Sequence, residues 1–167
     1  RLVTIVGAAG AGKTTLATLV GHAVHAFDGS MFFVDLSAVD REEMVTEALA
    51  AAVGYMPSDK DLLPGLLEIL SARRALIVLD TCEHVISAAA SLCQQIVQGT
   101  RQVFLLNTSR EALRVREEFV YLLRPLAFPS HTGPLSTKEA MDWPAIQLFM
   151  ERAWEGGARG AMSDDEA

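Results

Sequence analysis

The chain has 167 residues, fourteen basic and twenty-one acidic, for a formal net charge of −7, and half of its residues are hydrophobic. That length supports one substantial core but not two ordinary domains with a linker, and the composition is that of a folded soluble protein. No apolar run approaches the roughly 20 residues that cross a bilayer, which excludes a membrane span. The acidic balance argues against a broad nucleic-acid footprint on this segment, so any DNA contact requires another domain.

Leu2 to Val6 is a short apolar run rich in β-branched residues and ends at Gly7, the pattern of a strand buried on both faces. From Lys13 to Phe27, apolar residues recur at helical spacing, and Asp28-Gly29 closes that helix as a turn. Met31 to Leu36 predicts a second strand. Arg41 to Val53 predicts a helix with Asp40 as N-cap and Gly54 just past its end. Asp61 to Ser71 is a helical stretch broken by Pro64.

Ala75 to Leu79, wholly apolar and terminating in Asp80, is a third strand; Val85 to Val97 is an alanine-rich helix stopping near Gly99. Gln102 to Leu106 makes a fourth strand that ends on Asn107, Thr108, Ser109 and Arg110, and Phe119 to Leu123 a fifth. Phe32, Phe33, Phe104, Phe119 and Tyr121 all fall inside these strands and are expected in the core. Pro125, Pro129, Gly133, Pro134 and Pro144 then punctuate a segment too broken for regular structure. Pro144 opens a final helix, Ala145 to Trp154, whose Ile146, Leu148, Phe149 and Ala153 can dock on a neighbour. Trp143 and Trp154 bracket that helix and are candidates to pack on the sheet or on a further domain.

Strands alternating with helices imply a three-layer αβα fold around a mostly parallel five-stranded sheet. The expected organisation is a core over 1–124, a linker over 125–143, the start of a helical subdomain over 144–155 and a disordered tail over 156–167. Cys82 and Cys93 lack metal-ligand spacing and are too few for a disulfide framework, so reduced thiols and a cytoplasmic setting are expected. Arg1 leads directly into an apolar run with no initiator methionine or targeting stretch, the look of an excised fragment.

Ligands of parallel sheets bind beyond the carboxyl ends of the strands, where this chain places three polar clusters: Gly7 to Thr14, Asp80 to Glu83, and Thr108 to Arg110. The first of these, Gly7, Ala8, Ala9, Gly10, Ala11, Gly12, Lys13 and Thr14, satisfies G-x-x-x-x-G-K-[ST] between a predicted strand and a predicted helix, which makes the fold a P-loop NTPase. Small residues let backbone N–H groups point inward at phosphate oxygens while the helix presents its positive end to the same anion.

Lys13 is then expected at the β- and γ-phosphates of ATP or ADP, Thr15 at the α-phosphate, and Thr14 with Asp80 at a Mg²⁺ ion. Asp80 or Thr81 can equally cap the next helix. Glu83 is a candidate to orient or deprotonate an attacking water, or else a first-turn glutamate in a capping box. Arg110 is a candidate γ-phosphate sensor, or else a surface arginine paired with Glu111 or Glu117. His84 reads as structural.

The strings Leu76 to Val85 (LIVLDTCEHV), Asn107 to Leu113 (NTSREAL) and Pro125 to Pro129 (PLAFP) resemble the STAND class of signal-transduction ATPases, in particular the NB-ARC-like domains of large bacterial LuxR-type and SARP-type transcriptional regulators. The likeness runs from Arg1 to about Trp154 and includes Phe33 to Ser37 and Ala145 to Phe149. It implies a domain that binds ATP or ADP, switches between resting and active assemblies and leaves DNA to a separate domain; the three clusters at the sheet edge add the expectation of slow Mg²⁺-dependent ATP hydrolysis. It also implies phosphate contacts from Gly10, Gly12 and Lys13, Mg²⁺ near Thr14 and Asp80, and a sensor role for Arg110. Thr81 stands where the family commonly has Asn or a second acid, and Ala112 where it has proline. The family's nucleotide-gripping segment before the first strand, and its helical lid and winged-helix domain, are expected to lie outside residues 1–167, with weak nucleotide affinity of this segment as the expected consequence. A small-molecule kinase, with Arg110, Arg114 and Arg116 as an arginine-bearing lid, and a nonhydrolytic scaffold are the competing readings.

Overall fold

The computed structural model describes residues 1–24, 27, 30–56, 62–130, 133 and 135–157. It divides into two units, Arg1–Arg124 and Pro125–Ala167.

In the first unit the order is β1 (Leu2–Val6), α1 (Lys13–Ala23), β2 (Met31–Asp35), α2 (Met44–Val53), α3 (Leu62–Ser71), β3 (Ala75–Asp80), a single 3₁₀ turn at Cys82–His84, α4 (Ile86–Gly99), β4 (Val103–Ser109) and β5 (Glu118–Leu122). The strands form one sheet in the order β2-β3-β4-β1-β5, and all four pairings are parallel. β4 therefore lies between the strand that leads into the glycine loop and the strand that ends in Asp80.

Alternation along the central strands splits the core in two. Ile77, Leu79, Val103 and Leu105 pack with Leu49, Leu66, Leu70, Ala89, Leu92 and Ile96 of α2, α3 and α4. Leu76, Val78 and Leu106 point the other way, with Ile5, against Ala17 of α1 and Phe27. Every residue of β3 is buried, and each large apolar side chain so enclosed contributes about 1.5–3 kcal/mol relative to exposure. These are the three layers of a P-loop NTPase fold.

Several expectations need correction. α1 stops at Ala23, where Val24 turns extended; the expected Asp28-Gly29 turn lies outside the described residues. α2 begins at Met44 rather than Arg41, because residues 41–43 form turns whose carbonyls accept from Met44 and Val45, and Asp40 is not its cap. Gly54 does end it, with φ +77°. Pro64 does not break α3: it sits in the first turn, where no intrahelical N–H is lost; Asp61 lies outside the described residues. Phe33, Phe119 and Tyr121 are 38%, 65% and 48% exposed rather than core, since β2 and β5 are the sheet's two edges.

The second unit holds α5 (Thr137–Ala140) and α6 (Pro144–Glu155). The segment expected to lack regular structure thus contains a helical turn. Ser136 accepts from the Glu139 N–H while the Glu139 carboxylate accepts from the Ser136 N–H, a reciprocal capping box. Pro144 occupies the first turn of α6 as expected. On α6, Met150 is buried, whereas Leu148, Phe149 and Trp154 are exposed. Pro134 and residues 158–167 lie outside the described residues.

Candidate functional site

The carboxyl ends of β1, β3 and β4 meet at one edge. Register places Val6 beside Ser109 and Leu79 beside Asn107, so the chain leaves the sheet there at Gly7, just after Asp80, and at Arg110. Gly7 passes so close to the end of β5 that a Cβ on it would lie 2.7 Å from the Leu123 carbonyl oxygen. Gly12 takes φ +90° at the amino end of α1, a conformation that L side chains rarely adopt. No side chain caps α1 and its first turn holds no acidic residue, so its dipole and its leading N–H groups face outward without a built-in anion.

Lys13 curls back over this loop and its Nζ donates to the Gly7 and Ala8 carbonyls at 3.0 Å each. The Thr14 hydroxyl donates to both carboxylate oxygens of Asp80, at 3.0 and 2.9 Å. Asp80, only 4% exposed, also accepts from the Thr108 and Thr81 hydroxyls. Thr108 in turn accepts from the Thr81 N–H at 2.9 Å, which pins Thr81 in a left-handed conformation, φ +63°. Thr15 is exposed.

The caps weighed from sequence are not made. Neither Thr81 nor Val85 offers a side-chain cap. Glu83 instead accepts from Arg110 Nε at 3.0 Å, so Arg110 pairs with Glu83 rather than with Glu111 or Glu117; Glu111 is engaged by Arg114. The Glu83 Oε2 atom is buried without a hydrogen-bond partner among the described residues. His84 Nε2 lies 2.8 Å from the Val39 carbonyl and ties the 3₁₀ turn to the loop after β2, a structural role as expected.

Thr108 was visible only as part of a polar strand end; nothing in its spacing showed that it links Asp80 to Thr81. Asn107, fully buried, donates to Thr4 and accepts from the Cys93 thiol. Cys82 and Cys93 are both buried, and that burial pushes the Cys93 thiol up to about 12 and that of Cys82 higher still. The oxygen set at Thr14 and Asp80 suits a hard divalent cation such as Mg²⁺.

A glycine loop opening a helix, a carboxylate at the end of a buried strand and a further strand, β4, inserted between the two define a P-loop ATPase domain. The NB-ARC domain profile matches residues 1–113. The chain belongs to that family, whose domains bind nucleotide. It is 31% identical over 154 residues to a Mycobacterium tuberculosis H37Rv protein provisionally named an HTH-type transcriptional regulator, covering 92% of this chain but 16% of that one. Among solved structures it is similar to Cdc6p from Pyrobaculum aerophilum (TM-score 0.60, 17% identity, 98% of this chain and 46% of that one). A STAND protein with a tetratricopeptide-repeat sensor from Pyrococcus horikoshii gives TM-score 0.51 at 14% identity, over 99% of this chain and 24% of that one. These likenesses support a STAND-like fold. No helix among the described residues is long and apolar enough to cross a membrane.

Proposed function

We propose that this domain is a Mg²⁺-dependent ATP/ADP switch with slow hydrolysis, part of a larger LuxR-type or SARP-type transcriptional regulator that contacts DNA through a separate domain and self-associates according to nucleotide state. Residues 1–124 form its core, 125–143 connect it, and 144–155 begin a helical subdomain. The observation that carries the reading is the contact between Thr14, on the first turn of α1, and Asp80, at the end of β3. It sets two oxygen ligands side by side next to an uncapped helix terminus.

Gly7 to Thr15 hold the phosphates through backbone N–H groups. Lys13 exchanges the Gly7 and Ala8 carbonyls for phosphate oxygens, a change of partner rather than the exposure of a buried charge. Thr14 and Asp80 hold the Mg²⁺, which supplies charge neutralisation on the β- and γ-phosphates when bound. Glu83 orients the attacking water and takes its proton, and Arg110 meets the γ-phosphate. The setting is cytoplasmic.

The test is hydrolysis of ATP with Mg²⁺ by the full-length regulator, in the wild type and in Glu83→Gln. Slow release of ADP and phosphate that drops at least about tenfold in the variant is expected, because general-base groups contribute about 10²–10⁴. Transfer of the γ-phosphate to an added acceptor would instead favour a kinase, and an absence of turnover a nonhydrolytic scaffold.

A further inference from the structure

Glu83 and Arg110 sit on adjacent strand ends, and their pairing is lopsided. The arginine side chain is 63% exposed and the glutamate side chain 18%. Only Nε of the guanidinium is engaged, and Arg110 makes no other hydrogen bond among the described residues. The other carboxylate oxygen of Glu83 is buried and has no partner among the described residues, a costly arrangement for a charged acceptor. The turn that carries Glu83 is fixed at both ends, by the Thr81 N–H on Thr108 and by His84 on Val39. Arg110, whose side chain lies mostly in solvent, is the member with room to change partner.

We propose that Arg110 is a latch on Glu83: without a γ-phosphate it holds the carboxylate in an ion pair, and a γ-phosphate releases Glu83 by taking the guanidinium for itself. This rests on the nucleotide-switch reading and deepens it. A carboxylate held by a guanidinium is not free to orient a water or accept its proton. A phosphate outcompetes the contact seen here, because the planar fork engages it through two N–H groups at once whereas Glu83 is held through Nε alone. ADP offers no group at that position, so one exchange of partners both distinguishes ATP from ADP and arms the base. Because Arg110 is largely exposed, breaking the pair costs little, and the exchange alters ATP affinity by only about two- to fivefold.

The test is a double-mutant cycle read by binding, with the full chain, a nonhydrolysable ATP analogue or ADP, Mg²⁺ present, and four proteins: wild type, Glu83→Gln, Arg110→Ala and both together. Glu83→Gln weakens the latch, so affinity for the analogue rises about two- to fivefold while that for ADP stays constant. With Arg110→Ala in place, Glu83→Gln changes neither. An equal gain in the Arg110→Ala background would mean that removing a negative charge near the phosphates suffices, and overturns the latch. So does an equal gain for ADP, or no gain. Should Lys13→Ala bind nucleotide as well as the wild type, the nucleotide reading itself has failed and the latch with it; nucleotide binding that depends on Lys13 but shows no Glu83–Arg110 coupling sinks the latch alone.

Discussion

Replacing Thr108 by valine removes one hydroxyl with almost no change of shape, at a position only 1% exposed. That hydroxyl donates to a nearly buried carboxylate and accepts from the Thr81 N–H. A hydrogen bond to a charged group contributes about 1.5–3 kcal/mol, and an orphaned buried N–H costs about 1–3 kcal/mol. The two losses overlap, because Asp80 keeps the Thr14 hydroxyl and the valine no longer buries a polar group. A net destabilisation of about 2–3 kcal/mol is expected for Thr108→Val. For a chain of this size that lowers Tm by about 5–10 °C. Thr108→Ser is the control: it keeps both bonds and loses one methyl, about 1 kcal/mol. Urea and thermal unfolding of the three proteins decide the matter. Equal stability of Thr108→Val and Thr108→Ser would refute the role given to the hydroxyl.

Three further outcomes follow from the same geometry. Gly7→Ala sets a Cβ 2.7 Å from a backbone oxygen and is expected to destabilise by about 1–3 kcal/mol; an unchanged urea midpoint would show that the loop gives way freely. Thr81→Asn relieves a β-branched residue at φ +63° and should stabilise by about 1 kcal/mol, visible as a higher Tm. The Cys82 and Cys93 thiols have folded-state pKa values raised above the ordinary 9.0, so their contribution is complete below pH 9 and is lost as pH rises toward 12. Unfolding free energy should fall from pH 8.5 to 10.5 more steeply, by roughly 1 kcal/mol or more, in the wild type than in Cys82→Ala/Cys93→Ala; parallel profiles would contradict that linkage.

The legible features of the sequence were those with a short-range signature. Ala75 to Asp80 is uniformly apolar up to its carboxylate, the pattern of a short strand buried on both faces that ends on a polar site. The glycine loop reads directly because its backbone demands small residues. Edge position has no such signature: Phe119 and Tyr121 resemble core residues until the strand order leaves β5 with a single neighbour. The start of α2 was misplaced because Asp40 is a good cap in isolation, whereas turns over 41–43 engage the first N–H groups of the helix. The capping box at Ser136 and Glu139 was legible as S-x-x-E but hidden among prolines. The Glu83–Arg110 pair spans 27 residues and depends on β3 and β4 being adjacent, which no local pattern encodes.

The nucleotide-switch reading stands on the loop from Gly7 to Thr14 holding a nucleotide's phosphates, with Lys13 moving from the Gly7 and Ala8 carbonyls onto them. Titration of ATP and Mg²⁺ into the full chain by calorimetry, wild type against Lys13→Ala, tests it most directly. Loss of a charge-assisted contact to phosphate, about 1.5–3 kcal/mol, weakens binding about ten- to a hundredfold, and that is the expected result. Equal affinity in the two proteins would contradict the account.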